Sequence, residues 1–138
     1  MKKVVIGIIS KKRDTGEEEF LLVSSKKNFG EFSGYYYPPG GHVENNESIE
    51  DALTRELKEE LSLDVIPIHE LAATPGDVED QMTYWWLCKI KNGDIKINKN
   101  EIADAAYFTA LEMKEIKIWP ATKNFFNVHI FKNKTLLP

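Results

Sequence analysis

Glu56, Glu59 and Glu60 put three carboxylates within five consecutive residues. On a helix, positions three and four apart are neighbours, so these side chains can converge on one point. Like charges held that close repel one another unless something positive sits between them. An all-oxygen, carboxylate-rich site suits Mg2+, with Mn2+ as a substitute, and Mg2+ keeps several waters while sharing its remaining positions with substrate phosphates. A metal held in this way activates water and neutralises phosphate charge. The plainer alternative is a solvated helix that is rich in Glu because Glu favours helices.

The elements that must position these acids are legible on either side. Ile49, Leu53, Leu57 and Leu61 repeat every four residues, which predicts an amphipathic helix whose apolar stripe is flanked by Glu56 and Glu60. Ser48 is placed as its N-cap, with Asp51 at the N3 position of a capping-box pattern. Upstream, Tyr35, Tyr36 and Tyr37 run into Pro38, Pro39, Gly40 and Gly41. This reads as a tight, irregular turn in which glycine allows positive φ and close backbone approach to a ligand, and a carbonyl there can join a metal site. A simple strand-to-helix turn needs the same residues.

Gly41, five residues, Glu47, seven residues, and then Arg55-Glu56-Leu57-Lys58-Glu59-Glu60-Leu61-Ser62-Leu63 resembles the Nudix box, with Ser62 in the place of its usual glycine. The resemblance implies that Glu56, Glu59 and Glu60 hold divalent cations, that the Gly40 carbonyl assists and that Arg55 orients a glutamate of the motif. Glu47 then serves as a structural acid and partner of Arg55. The pattern of strands with one helix in mid-chain and helices at the end reads by itself as an α+β or layered domain. The resemblance sharpens this to an α/β/α sandwich with a mixed β-sheet.

Length and composition agree with one small domain over residues 1–138, since 138 residues with 42% apolar content can build one substantial core. A formal charge of -4 argues against a general nucleic-acid binder but suits a metal-bridged phosphate ligand. No run approaches a membrane span and the first residues do not resemble a secretory signal, so a cytoplasmic address without membrane attachment is expected. Cys88 is solitary and reads as a core thiol. Val4 to Ser10 and Glu19 to Ser25 are expected to pair as a hairpin, with a loop over Lys26 to Gly34. Strands are expected from Asp64 to Ala73, Met82 to Ile90, Asp94 to Ile97 and Ala105 to Phe108. Helical turns follow from Leu111 to Glu115, and a last helix starts at Pro120 and runs to about Phe131.

Several residues outside the box are candidates for the site. Glu101 resembles the additional loop glutamate that relatives use as metal ligand or base, with Asp104 in reserve. Arg13, Lys26, Lys27 and His42 can reach phosphates, although lysines mostly face water. Tyr35, Tyr37, Tyr84, Trp86 and Trp119 can stack on a purine, while the period-two spacing of Tyr84 and Trp86 also suits core. Trp119 to Thr122 resembles the base-contacting region of triphosphate-cleaving relatives, with Thr122 offering a hydroxyl. With Gly41 among the substrate contacts, the resemblance implies hydrolysis of a small nucleotide, a nucleoside diphosphate linked to another group. Nucleoside triphosphates, oxidised purine forms included, come first, giving monophosphate and pyrophosphate. ADP-ribose, nucleotide sugars and dinucleoside substrates remain open, as does a non-catalytic nucleotide-binding module. RNA 5′-end trimming is disfavoured by the acidic balance. Homodimerisation is common in the resembled family, and nothing in the sequence fixes it.

Overall fold

The computed structural model describes residues 1–132 and 137–138. The strands form two four-stranded sheets that share the layer between the helices. The first has the order β5-β1-β7-β6, formed by Gly40–His42, Lys2–Ile8, Gln81–Asn92 and Asp64–Pro75. It is mixed, because β1 runs antiparallel to β5 and parallel to β7. In the second sheet β3 (Glu18–Ser25) pairs with β2 (Ser10–Lys12), β4 (Tyr36–Tyr37) and β8 (Ile102–Thr109). Helix α1 (Ile49–Leu61) packs on β1, β5 and β6. Helices α2 (Ala110–Met113) and α3 (Pro120–Phe125) lie near the other face, giving the α/β/α sandwich with a mixed sheet that the sequence implies.

The run Val-Val-Ile-Gly-Ile-Ile is continuous because β1 is buried on both faces. Val5 and Ile9 join Leu53, Leu57, Leu61 and Cys88 in one core cluster, while Ile6 and Ile8 join Trp85, Met113, Phe125 and Phe126 in another. Strand β3 divides in the same way, with Leu21 and Val23 on the first side and Phe20 and Leu22 on the second. The expected hairpin therefore needs correction. The first apolar run breaks at Ile9, β1 takes its partners from distant β5 and β7, and only the short β2 forms the hairpin with β3.

Ser48 caps α1 by accepting the Asp51 N–H at 3.0 Å. Ser62 ends the helix at φ 61°, a left-handed position that favours glycine, and its N–H donates to the Lys58 carbonyl at 3.0 Å. Residues 94–97 form no strand; backbone bonds from Lys96 to Leu61 and from Asn98 to Glu60 instead strap this segment to the end of α1. The C-terminal helix begins at Pro120 as expected and changes to a wider π-type turn over Phe126–Ile130, closed by Phe131 N–H to Phe126 C=O at 2.7 Å.

Candidate active site

Gly40 and Gly41 form part of an edge strand rather than a free turn, and neither has positive φ. Space is what each requires. A Cβ on Gly40 would overlap the Val5 carbonyl, and one on Gly41 would stand 2.5 Å from Oε2 of Glu56. With no side chain at Gly41, the Glu56 carboxylate lies against bare backbone and reaches a cavity of about 350 Å³ at the mouth between the two sheets. Glu60 lines the same cavity, so α1 turns two carboxylates into it.

Glu60 is buried, and its Oε2 has no hydrogen-bond partner. Burial, then the charge of Glu56, pushes its carboxyl well above the ordinary carboxylate range. Burial also raises Glu56, against the opposing pull of Arg55. A shielded pair of carboxylates with an unpartnered oxygen is costly as it stands, and an all-oxygen donor set of this kind fits a hard divalent cation. Glu101, in the turn directly before β8, lines the same cavity, and its charge also acts on Glu60.

Glu59 departs from the expected three-carboxylate convergence. Its side chain is about half exposed and bonds Arg55 Nη1 at 3.3 Å, outside the cavity wall. The i, i+4 attraction to Arg55 draws it away from Glu56 and Glu60. Among the described residues no three acidic, histidine or cysteine side chains are gathered closely enough to form a metal cluster.

Arg55 organises the acids around it. Its Nε donates to Glu47 at 2.7 Å and its Nη1 to Glu56 at 2.9 Å, while its Nη2 bonds Glu47 at 3.0 Å and the His42 carbonyl at 3.0 Å. Glu44 completes the group at 3.4 Å from Nη1. The guanidinium fork suits this role because it offers five donors in fixed directions. Hydrogen bonding to Arg55 holds the Glu47 carboxyl down at about 2.

The remaining wall is aromatic and polar. Trp119 stacks on Phe32 with centroids 4.9 Å apart and meets Phe29 edge-on at 5.3 Å. Tyr37, Trp119 and buried Thr122 line the cavity, as does Lys27. Lys26, expected near phosphate, does not line it, and its backbone N–H is tied to the Glu101 carbonyl at 3.0 Å. Arg13 lies elsewhere, paired with Glu19 and Glu112, and Asp104 accepts from the Tyr36 hydroxyl at 2.6 Å. Tyr35 and Tyr84 are absent from the cavity wall, and Trp86 packs against the first core cluster.

The NUDIX domain family model matches residues 1–128. The chain belongs to the Nudix family. Human NAD-capped RNA hydrolase NUDT12 is 31% identical over 96 residues, covering 65% of this chain and 21% of that protein. Putative nudix hydrolase 1 of Caenorhabditis elegans is 30% identical over 128 residues, 91% of this chain and 33% of the relative. The chain thus spans between a fifth and a third of the length of these curated relatives. The structure of MutT protein from Methanosarcina mazei Go1 superimposes with a TM-score of 0.73 at 21% identity, covering 96% of this chain and 95% of that one. At that identity the likeness establishes the fold.

In this Nudix domain the motif supplies the acidic end of the cavity, and other parts of the chain supply the rest. Sequence reasoning missed Trp85, Asp77, Gln81 and Thr83, all of which line the cavity. Trp85 was findable: it alternates with Tyr84 and Trp86, so one face of β7 had to carry it opposite to them. Asp77 belongs to the β6–β7 turn and accepts the Ala121 N–H at 3.0 Å, a contact across 44 positions that has no local signal. No described helix is long and apolar enough to cross a membrane.

Proposed function

We propose that this Nudix domain hydrolyses a nucleoside diphosphate linked to another group, with nucleoside triphosphates, oxidised purine forms included, as the first substrates and a monophosphate and pyrophosphate as products. The observation that carries this reading is the unpartnered Glu60 oxygen beside Glu56, in the same cavity as an aromatic wall suited to a base. Glu56, Glu60, Glu101 and the Gly40 carbonyl would hold Mg2+, or Mn2+ in its place; Glu59, the third acid of the motif, would join them only by leaving its pair with Arg55. When bound, the metal supplies positive charge to the phosphate oxygens and makes water more acidic.

The chain's own residues do the rest. Water oxygen bonds to phosphorus, the bridging P–O bond breaks, and its electron pair leaves with the pyrophosphate oxygen. A glutamate of the cavity that is not taken up by the metal accepts the water proton. Arg55 holds Glu56 in place by the 2.9 Å bond. The Tyr37 hydroxyl stays protonated, because burial and then the Glu60 charge raise it, and so it remains a donor. Trp119 offers a stacking face and Thr122 a hydroxyl to the base.

A second reading is cleavage of an ADP-ribose, nucleotide-sugar or dinucleotide pyrophosphate. It is favoured by the 31% identity with a protein named as an NAD-capped RNA hydrolase. The test is phosphate and pyrophosphate release with Mg2+ or Mn2+ over nucleoside triphosphates, 8-oxo-dGTP, ADP-ribose, nucleotide sugars and dinucleoside polyphosphates. Metal-dependent cleavage that Glu60→Gln abolishes in a folded protein is expected. Nucleotide binding without turnover of any substrate would instead make the chain a binding module.

A further inference from the structure

The acidic cavity has a positively charged rim. In the β1–β5 register Val4 lies opposite His42, and Lys2 is two residues before Val4, so Lys2 and His42 share the sheet face that floors the cavity. His42 lines both this cavity and an adjoining cleft of about 610 Å³ whose wall includes Lys2. Lys27 approaches from the loop after β3 and lines the cavity. Both lysines are near enough for their charges to act on the His42 imidazole.

Among the described residues, no carboxylate forms an ion pair with Lys2 or Lys27. The acids of the adjoining cleft, Glu44 and Glu47, are instead drawn to Arg55, at 3.4 Å and 2.7 Å. Arg55 thereby takes up the negative charge that would otherwise answer Lys2. In a chain of net charge -4, an uncompensated cationic rim beside Glu56 and Glu60 is where the anionic end of a substrate gains most.

We propose that Lys2, His42 and Lys27 form an anion subsite for the group attached to the nucleoside diphosphate, and that this group is itself phosphate. The assignment rests on the hydrolase reading above and narrows it, favouring nucleoside triphosphates over neutral sugar diphosphates. Lys2 comes from β1 and Lys27 from the loop after β3, and His42 lines both the cavity of the carboxylates and the adjoining cleft of Lys2.

Inorganic tripolyphosphate is the probe, titrated calorimetrically into the full chain in metal-free buffer with chelator. The wild type is expected to bind it in a salt-sensitive manner. Lys2→Gln and Lys27→Gln should each weaken binding by about tenfold, the loss expected for one charge-assisted hydrogen bond. Lys26→Gln makes an equal charge change one residue away, off the cavity wall, and should leave binding unchanged. Absence of binding to the wild type, or equal weakening by all three substitutions, overturns the subsite. With substrates, Lys2→Gln and Lys27→Gln should lower kcat/KM for a nucleoside triphosphate more than for ADP-ribose; equal losses overturn the assignment to a terminal phosphate. A protein that hydrolyses neither substrate overturns the hydrolase reading alone, because the tripolyphosphate titration still decides the subsite.

Discussion

The Glu56 carboxylate occupies the space directly over Gly41, where a Cβ would stand 2.5 Å from Oε2. Two adjacent glycines therefore have separate reasons to exist. Gly40 must be bare because the β1 backbone is there, and Gly41 because a side chain of the site is there.

Gly41→Ala should leave the fold nearly intact, because what the new methyl meets is the far end of a flexible side chain. It should displace the Glu56 carboxylate and lower kcat/KM by about 10²-fold, the usual consequence of a misplacement near 1 Å. Gly40→Ala should act the other way, opening the β5–β1 pairing and lowering Tm. Paired measurements of Tm and kcat/KM check this, and an active, stable Gly40→Ala protein would contradict it.

The Glu47 carboxyl provides a pH test. Arg55 holds it down at about 2, against an ordinary value of 4.5. A depressed acid contributes stability that is fully present above its unfolded pKa and is lost as pH falls through its folded pKa. The Tm difference between wild type and Glu47→Gln should thus be largest near neutral pH, begin to shrink below about 4.5 and close toward about 2. A difference that does not vary with pH over this window would show that the ion pair adds nothing beyond a neutral hydrogen bond.

Much of this was open to a reader of the sequence because the decisive signals are local. The four-residue repeat of Ile49, Leu53, Leu57 and Leu61, the Ser48 cap and the motif all sit within one stretch, and α1 appears over Ile49–Leu61. What failed was non-local. A run such as Val4 to Ile9 states that it is buried but not which strands flank it, and β1 takes partners from about 35 and 80 positions away. Helical spacing likewise shows that Glu59 can approach Glu56, but not that Arg55 pulls it outward. The Asp77–Ala121 contact depends on a turn and a helix meeting only after the sheets assemble.

Cys88 should be chemically silent in the folded protein. Burial pushes its thiol up to about 12, and the side chain lies in the core cluster under α1, out of reach of a reagent. Iodoacetamide at mildly alkaline pH should alkylate it only after denaturant is added, and Cys88→Ala should retain turnover. Rapid labelling of the native protein would refute the burial, and loss of turnover in a stable Cys88→Ala protein would contradict the core-thiol reading.

Trp119 should contribute to binding rather than to the chemical step. Its ring is fixed by Phe32 on one face and Phe29 at the edge, and its backbone N–H donates to the Tyr36 carbonyl at 3.1 Å, so the indole is pre-positioned before ligand arrives. Stacking of a base on such a ring is worth about 1–3 kcal/mol. Trp119→Ala should raise KM for a nucleotide by about tenfold or more at that energy while leaving kcat nearly unchanged, and Trp119→Phe should restore most of the loss. Tripolyphosphate, which carries no base, should bind both variants as it binds the wild type. If kcat falls while KM holds, Trp119 acts on the geometry of the reacting phosphates, and the aromatic wall is then a brace for the carboxylate end rather than a seat for the base.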